Sequence, residues 1–394
     1  MSPTWPDGAP RVMVSDAWLP NAGDGAIALA VERMIRQLVP GASIVHAAYH
    51  SELVGDAYDG LRFVPPLSSL LAIEGSPPVP PEWDHDAGRA FVDAADLVVS
   101  QGGGFLVEAY QPWERLFALE QVVQSGTRLV LLGQTIGTFR LARARALLRT
   151  IVRRARAVTV RDEPSYRNVQ ELAGSDTRVT LTTDLTISLF DREASQERAE
   201  RGVAVVLTEH EQMSGVETPE ARRAIAARLL EEVVERVPGE PVTVASTAQG
   251  HGEAGLEDDA ELAHAVVEGL SRGQRNRVEV VDGYLAPREA FELYGRQRAV
   301  VTLRLHPALF AMLQGVPAAL LLGADKARLL DDAALGALVC VTAADEDARA
   351  RAVSAALAPE APSGRTLWDA FATLRERARD NELALRQVLE DTGP

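Results

Sequence analysis

Short β-branched runs, each followed by a glycine or polar turn and then a helical stretch, repeat along this chain, and that alternation predicts parallel sheets covered by helices. In the first half the strand candidates are Arg11 to Ser15, Ser43 to Ala47, Asp96 to Ser100, Arg128 to Leu132, Ala157 to Val160 and Arg178 to Thr182. Helices are expected at about Gly25 to Val39, Pro112 to Gln124, Leu141 to Arg154 and Pro164 to Ala173. The charged segment Phe190 to Arg201 reads as a linker. A second series follows, with strands at Val203 to Leu207, Val242 to Ala245, Val278 to Val281, Ala299 to Leu303, Ala318 to Leu322 and Leu338 to Val341. Its helices are expected at Pro219 to Val237, Leu256 to Ser271, Pro287 to Gly295, Pro307 to Gln314 and Asp345 to Leu357, and the tail from Thr366 to Glu390 reads as one amphipathic helix. A chain of 394 residues is too long for one ordinary core. The expectation is α/β, with two Rossmann-like doubly wound domains, residues 1–190 and 202–360, and a C-terminal helix, 361–394, closing back. Ligands of such sheets bind beyond the carboxyl ends of the strands.

Charge excludes several partners. The formal net charge is −16 and the isoelectric point about 5.0, which argues against nucleic acid or an anionic membrane surface. Any anion bound here must meet a local cluster of cations. No uninterrupted apolar run approaches the ~18 residues of a spanning helix, and Met1 to Pro10 lacks the basic start and apolar core of a signal peptide. A cytoplasmic protein is expected. The one cysteine, Cys340, lies in an apolar run and reads as a buried thiol, and no metal-ligand spacing appears.

Among 40 basic residues only Lys326 is a lysine; the others are arginine. An ammonium is a compact charge that can titrate, whereas a guanidinium is a planar fork that stays protonated. Lys326 follows the apolar run Val316 to Leu322 and a turn, where a new helix should begin. A cation opposes the dipole there unless an anion is bound. In Thr302-Leu-Arg304-Leu-His306-Pro307, strand periodicity puts Arg304 and His306 on one face, with Pro307 in the first turn of the next helix. His306 titrates near neutrality and is the acid/base candidate. Arg161 ends another strand, while Asp162 and Glu163 beside it suit a helix cap and its dipole. Together Arg161, Arg304 and Lys326 imply a phosphate or carboxylate held in the cleft between the domains. Two glycine-bearing turns, Asn21-Ala-Gly23-Asp24-Gly25 and Gly102-Gly103-Gly104, let backbone amides approach a ligand closely. Neither matches a dinucleotide fingerprint or a P-loop. Asp24 is either an N-cap or a group that activates a hydroxyl. The proline-rich stretch Gly75 to Trp83 is a surface connection or a lid, and Trp18, Tyr49, His50, Tyr110 and Trp113 are candidates to stack on a sugar ring.

These segments together resemble the polysaccharide pyruvyl transferase family. The matching stretches, in the family's order, are Asn21-Ala-Gly-Asp24, Asp96-Leu-Val-Val-Ser-Gln-Gly-Gly-Gly104, Gly133-Gln-Thr-Ile-Gly137, Val158-Thr-Val-Arg161-Asp-Glu-Pro-Ser165, Asp184, Arg304-Leu-His306, Gly315-Val-Pro317 and Asp325-Lys326. Gly25 and Thr138 depart from its pattern. The resemblance implies a GT-B-like architecture and transfer of a pyruvyl group from phosphoenolpyruvate onto a sugar diol. It implies that Arg161, Arg304, His306 and Lys326, with the backbone at Leu305, hold phosphoenolpyruvate. Asn21, Gly23, Asp24 and Gly102 to Gly104 would face the acceptor or the cleft wall. Phosphoenolpyruvate is a co-substrate, and no cofactor or metal is expected. His306 serves as acid, base or phosphate ligand, and Asp24, Asp184 and Glu108 are candidates for the base.

Three other readings stay open. One is a GT-B glycosyltransferase using a nucleotide sugar, one is a phosphoenolpyruvate-dependent tailoring enzyme for a small secondary metabolite, and one is a non-catalytic anion-binding scaffold. Acceptor identity, ketal versus enol-ether product and homo-oligomerisation are left open by the sequence.

Overall fold

The computed structural model describes residues 4–174, 177–190, 202–209, 216, 218–249, 258–322, 339–340 and 343–391. Asp325, Lys326, His210, His251, most of the Phe190 to Arg201 linker and the side chain of Cys340 lie outside the described residues. The chain divides into two compact units, one of residues 1–19, 24–189 and 375–394, the other of residues 20–23 and 190–374.

In the first unit the strands are β1 (Arg11–Trp18), β2 (Ser43–Tyr49), β3 (Phe63–Val64), β4 (Leu97–Ser100), β5 (Gly103–Leu106), β6 (Arg128–Ile136), β7 (Ala157–Val160) and β8 (Val179–Leu181). They form one sheet in the order β3-β2-β1-β4-β6-β7-β8, with β5 also on β6. Each pairing is parallel. Period-two alternation splits the apolar side chains between the two faces. Met13, Val45, Val98, Leu129 and Leu131 enter one core; Val12, Val14, Ile44, Leu97, Val99 and Val130 enter the other. Helices cover both faces, as near-continuous apolar strands require.

The second unit repeats the plan with β9 (Val203–Val206), β10 (Val242–Ala245), β11 (Val278–Val280), β12 (Ala299–Thr302), β13 (Ala318–Leu321) and β14 (Val339–Cys340). Their order, β11-β10-β9-β12-β13-β14, is the 3-2-1-4-5-6 order of a Rossmann sheet. Strand order therefore reverses between β9 and β12 here, and between β1 and β4 in the first unit.

Three expectations shift. Gly102 to Gly104 is not a tight strand-to-helix turn, because Gly103–Leu106 pairs with β6 and the next α-helix starts only at Trp113, after a short 3-10 turn at Glu108–Tyr110. The helix expected from Gly25 begins at Ala22. The tail is two helices, Arg365–Ala370 and Ala372–Glu390. At their junction Phe371 is fully buried and shares its N–H between the carbonyls of Leu367 and Trp368, which tightens the turn.

The last helix packs on the first unit. Leu385 and Val388 join the core that holds Val12 and Val130. Asn381, fully buried, accepts from Thr159 Oγ1 at 2.6 Å and donates to the carbonyl of Thr183 at 3.1 Å. Thr159 Oγ1 in turn accepts from Gly133 N at 2.6 Å. Asn381→Ala strands both partners in a dry site, so a stability loss of about 1–3 kcal/mol is expected by urea denaturation. No helix among the described residues is long and apolar enough to cross a membrane.

Candidate active site

In the second unit the site begins where β12 ends. The Thr302 hydroxyl accepts from Arg304 N and donates to Arg304 O, both at 2.9 Å, and so breaks the strand. Arg304 becomes the N-cap residue of the helix Leu305–Met312, with Leu305 and His306 in its first turn. The expectation that Arg304 and His306 share a strand face is therefore corrected. They belong to a helix start, and the amides of that turn have no intrahelical acceptor.

Arg304 is held by an aspartate that sequence reasoning missed. Its Nε lies 2.7 Å from Asp259 Oδ2 and its Nη2 donates to Oδ1 at 2.8 Å, a side-on fork that fixes the guanidinium plane. Asp259 is 3% exposed and opens the helix Asp259–Glu268, capped by Asp258. Its Oδ2 also accepts from Thr247 N and Oγ1 at 3.3 Å and from Ala248 N at 3.1 Å. The only sequence signal was the Asp258-Asp259 pair, which reads as ordinary capping. Burial, and then the charge of Asp259, push the Tyr294 phenol up from its usual range.

The same backbone carries the Asn21 motif. Asn21 bridges Ala248, Ala22 N donates to Thr247 O at 2.9 Å, and Gln249 N donates to Pro20 O at 3.1 Å. Asn21 Oδ1 accepts from Gly23 N at 2.9 Å, so Asn21 does the capping that was weighed for Asp24. Gly23 faces His306 so closely that a Cβ would overlap the imidazole Nδ1. Pro20 to Gly23, Thr247 to Ala248, Asp259, Arg304 and His306 thus form one ring of contacts at the carboxyl ends of β10 and β12.

In the first unit Arg161 follows β7 and is 7% exposed. Its Nη1 donates to Asp184 Oδ2 at 2.6 Å and its Nε to Thr135 Oγ1 at 2.7 Å. Asp184 is fully buried and its other oxygen accepts from Thr186 N at 3.0 Å and Oγ1 at 2.6 Å, which makes it a counter-ion. Asp162 caps the following helix through Ser165 N. Glu108 accepts from Arg140 N at 2.9 Å and Leu141 N at 3.4 Å, just before the helix Ala142–Arg154, so its carboxylate also serves a helix end. A Cβ at Gly102 would sit 2.5 Å from the carbonyl oxygen of Gly133, a contact only glycine permits. Gly103 has φ +145°, and Gly104 faces Arg161 Nη2 and Tyr110. Asp24 lies in the first turn of the helix Ala22–Leu38, where a carboxylate suits the dipole. Among the stacking candidates, Trp18 packs against Tyr49 and His50, whereas Trp113 packs on the core. No group of His, Cys, Asp or Glu among the described residues is arranged to hold a metal ion.

Two doubly wound sheets on one chain define the GT-B class, and solved structures agree. Anabaena HepE in complex with UDP and glucose aligns with a TM-score of 0.58 at 11% identity, over 96% of this chain and 99% of that one. Sucrose-phosphate synthase from Thermosynechococcus elongatus gives 0.57 at 14% identity, over 96% and 98%. UDP-GlcNAc 2-epimerase from Methanocaldococcus jannaschii gives 0.56 at 10% identity, over 95% and 99%. At such identities the likeness establishes the fold alone. No curated protein matches in sequence. The family model of the polysaccharide pyruvyl transferases matches residues 21–323, and the chain belongs to that family of transferases.

Proposed function

We propose that this protein transfers a pyruvyl group from phosphoenolpyruvate to two hydroxyls of a carbohydrate acceptor, forming a ketal. The observation that carries the reading is the Asp259-locked Arg304 beside His306 at the start of the Leu305–Met312 helix, in a chain of this family. Phosphoenolpyruvate has about three negative charges at neutral pH. Arg304, Lys326 and the amides at Leu305 supply matching donors. Protonation of the methylene carbon makes the ketal carbon electrophilic, and one acceptor hydroxyl adds there with loss of its proton. Phosphate then leaves, and the second hydroxyl closes the ring as its proton departs. His306 is the group within this cluster whose side chain can act as general acid or base. Asn21 and Gly23 hold the backbone against which His306 rests, and Asp24 begins the part of that helix assigned to the acceptor. The same cations suit a nucleotide diphosphate, and the GT-B neighbours include a complex with UDP and glucose.

Calorimetry separates the two readings. Phosphoenolpyruvate is expected to bind, while UDP and GDP do not. Lys326→Arg, which keeps the charge but replaces the compact ammonium, is expected to weaken binding at least tenfold, about 1.4 kcal/mol. Nucleotide binding without a phosphoenolpyruvate response would return the chain to the glycosyltransferases.

A further inference from the structure

Sequence reading passed over Asp16, a charged residue inside the apolar run of β1. It sits at a bulge, where the pairing of β1 with β2 slips between Ser15 and Ala17, and its φ is +70°. A bulge re-aims a side chain, and a left-handed non-glycine residue costs on the order of 1–3 kcal/mol unless its surroundings hold it. β1 is the strand at which the order of the first sheet reverses, the place where such sheets bind ligands.

Around Asp16 the polar groups are buried and under-used. Ser15 Oγ, both Asp16 carboxylate oxygens and Gln101 Oε1, at the end of the adjacent β4, make no well-directed hydrogen bond among the described residues, although the Ser15 hydroxyl and the Leu67 backbone face the Asp16 carboxylate. Ser15 is fully buried, while Asp16 and Gln101 are each 2% exposed. Arg115 Nε approaches Asp16 Oδ2 only to 3.4 Å. That guanidinium is otherwise engaged, stacked 4.1 Å over the Phe105 ring and donating to the Asp16 carbonyl at 3.0 Å. Buried polar groups in native folds are nearly always well paired, so a cluster bonded this loosely has room for a polar guest. Burial holds the Asp16 carboxyl above the usual carboxylate range, opposed by Arg115. Burial, and then the charge of Asp16, push the Tyr49 phenol up to about 12. Trp18 stands 5.5 Å from Tyr49 and 4.8 Å from His50, centroid to centroid, so the phenol that feels the Asp16 charge belongs to an aromatic group.

We propose that Ser15, Asp16 and Gln101 form a hydroxyl-binding subsite for a carbohydrate diol, with the Asp16 carboxylate accepting from one hydroxyl and Trp18 facing the apolar side of the ring. The inference rests on the transfer reaction proposed above and names its acceptor-side contact. The competing account is a structural Asp16–Arg115 ion pair, whose loss leaves a buried charge and lowers stability.

The experiment combines melting of Asp16→Asn, a change that keeps shape and tolerates positive φ, with crystals of the wild type soaked in saturating 1,3-propanediol. The expected results are an unchanged or raised melting temperature and a diol oxygen about 2.5–3.0 Å from the Asp16 carboxylate. A melting temperature lowered by several degrees, or no diol density at Asp16, overturns the subsite. Phosphoenolpyruvate calorimetry on the wild type reports separately on the transfer reaction, so the two failures are distinguishable.

Discussion

Arg304→Met is expected to lower the stability of the second unit by about 3–5 kcal/mol, because the Asp259 carboxylate is then left buried without its counter-ion. Adding Asp259→Asn should restore most of that loss. The neutral amide still accepts from Thr247 and Ala248 but no longer strands a charge. Urea midpoints of the single and double variants measure the difference. Phosphoenolpyruvate binding should stay lost in both, since the guanidinium is gone. Equal destabilisation of single and double variants would mean that the fork contributes packing rather than charge compensation.

Gly23→Ala should cut transfer by about 100-fold or more with little change in melting temperature. The added methyl overlaps the His306 imidazole, whose side chain can rotate away but no longer sits where it did. Displacing a reacting group by about 1 Å is enough for a loss of that size. Gly273→Ala is the matched control, because a Cβ there meets nothing within 4 Å. If Gly23→Ala turns over normally, His306 has no positional role in the reaction.

The alternation of apolar runs and turns made both sheets legible, since a parallel strand buried on two faces is continuous and apolar while its helices are periodic. The ordered motifs of the family were legible as well, because each is a short run of letters at a strand end. Geometry hidden in single hydroxyls was not. Strand periodicity extended through Arg304 to His306 because nothing in the letters distinguishes Thr302 as a strand residue from Thr302 as the group that ends the strand. Asp259 falls inside the helix expected from Leu256 to Ser271, and only the fold brings it to Arg304, 45 positions away. The strand expected from Arg11 stops at Ser15 and so leaves Asp16 outside any element. β1 lies in mid-sheet, and a bulge turns that residue out of the alternation. Glu108 and Asp184 were weighed as bases on residue type, and their partners, a helix end and an arginine, are long-range.

Arg375 onward belongs to the unit that also holds the first strand, so the chain leaves that unit, builds the other and returns. On the ribosome, the residues that complete the first core emerge after everything between them and Leu189. The core of Val12 and Val130, already lined by Ile27, Val31 and Ile35, is completed only when Leu385 and Val388 arrive. Completion of that core is thereby timed by synthesis of the second unit, and the helix that carries Asn381 is its last piece.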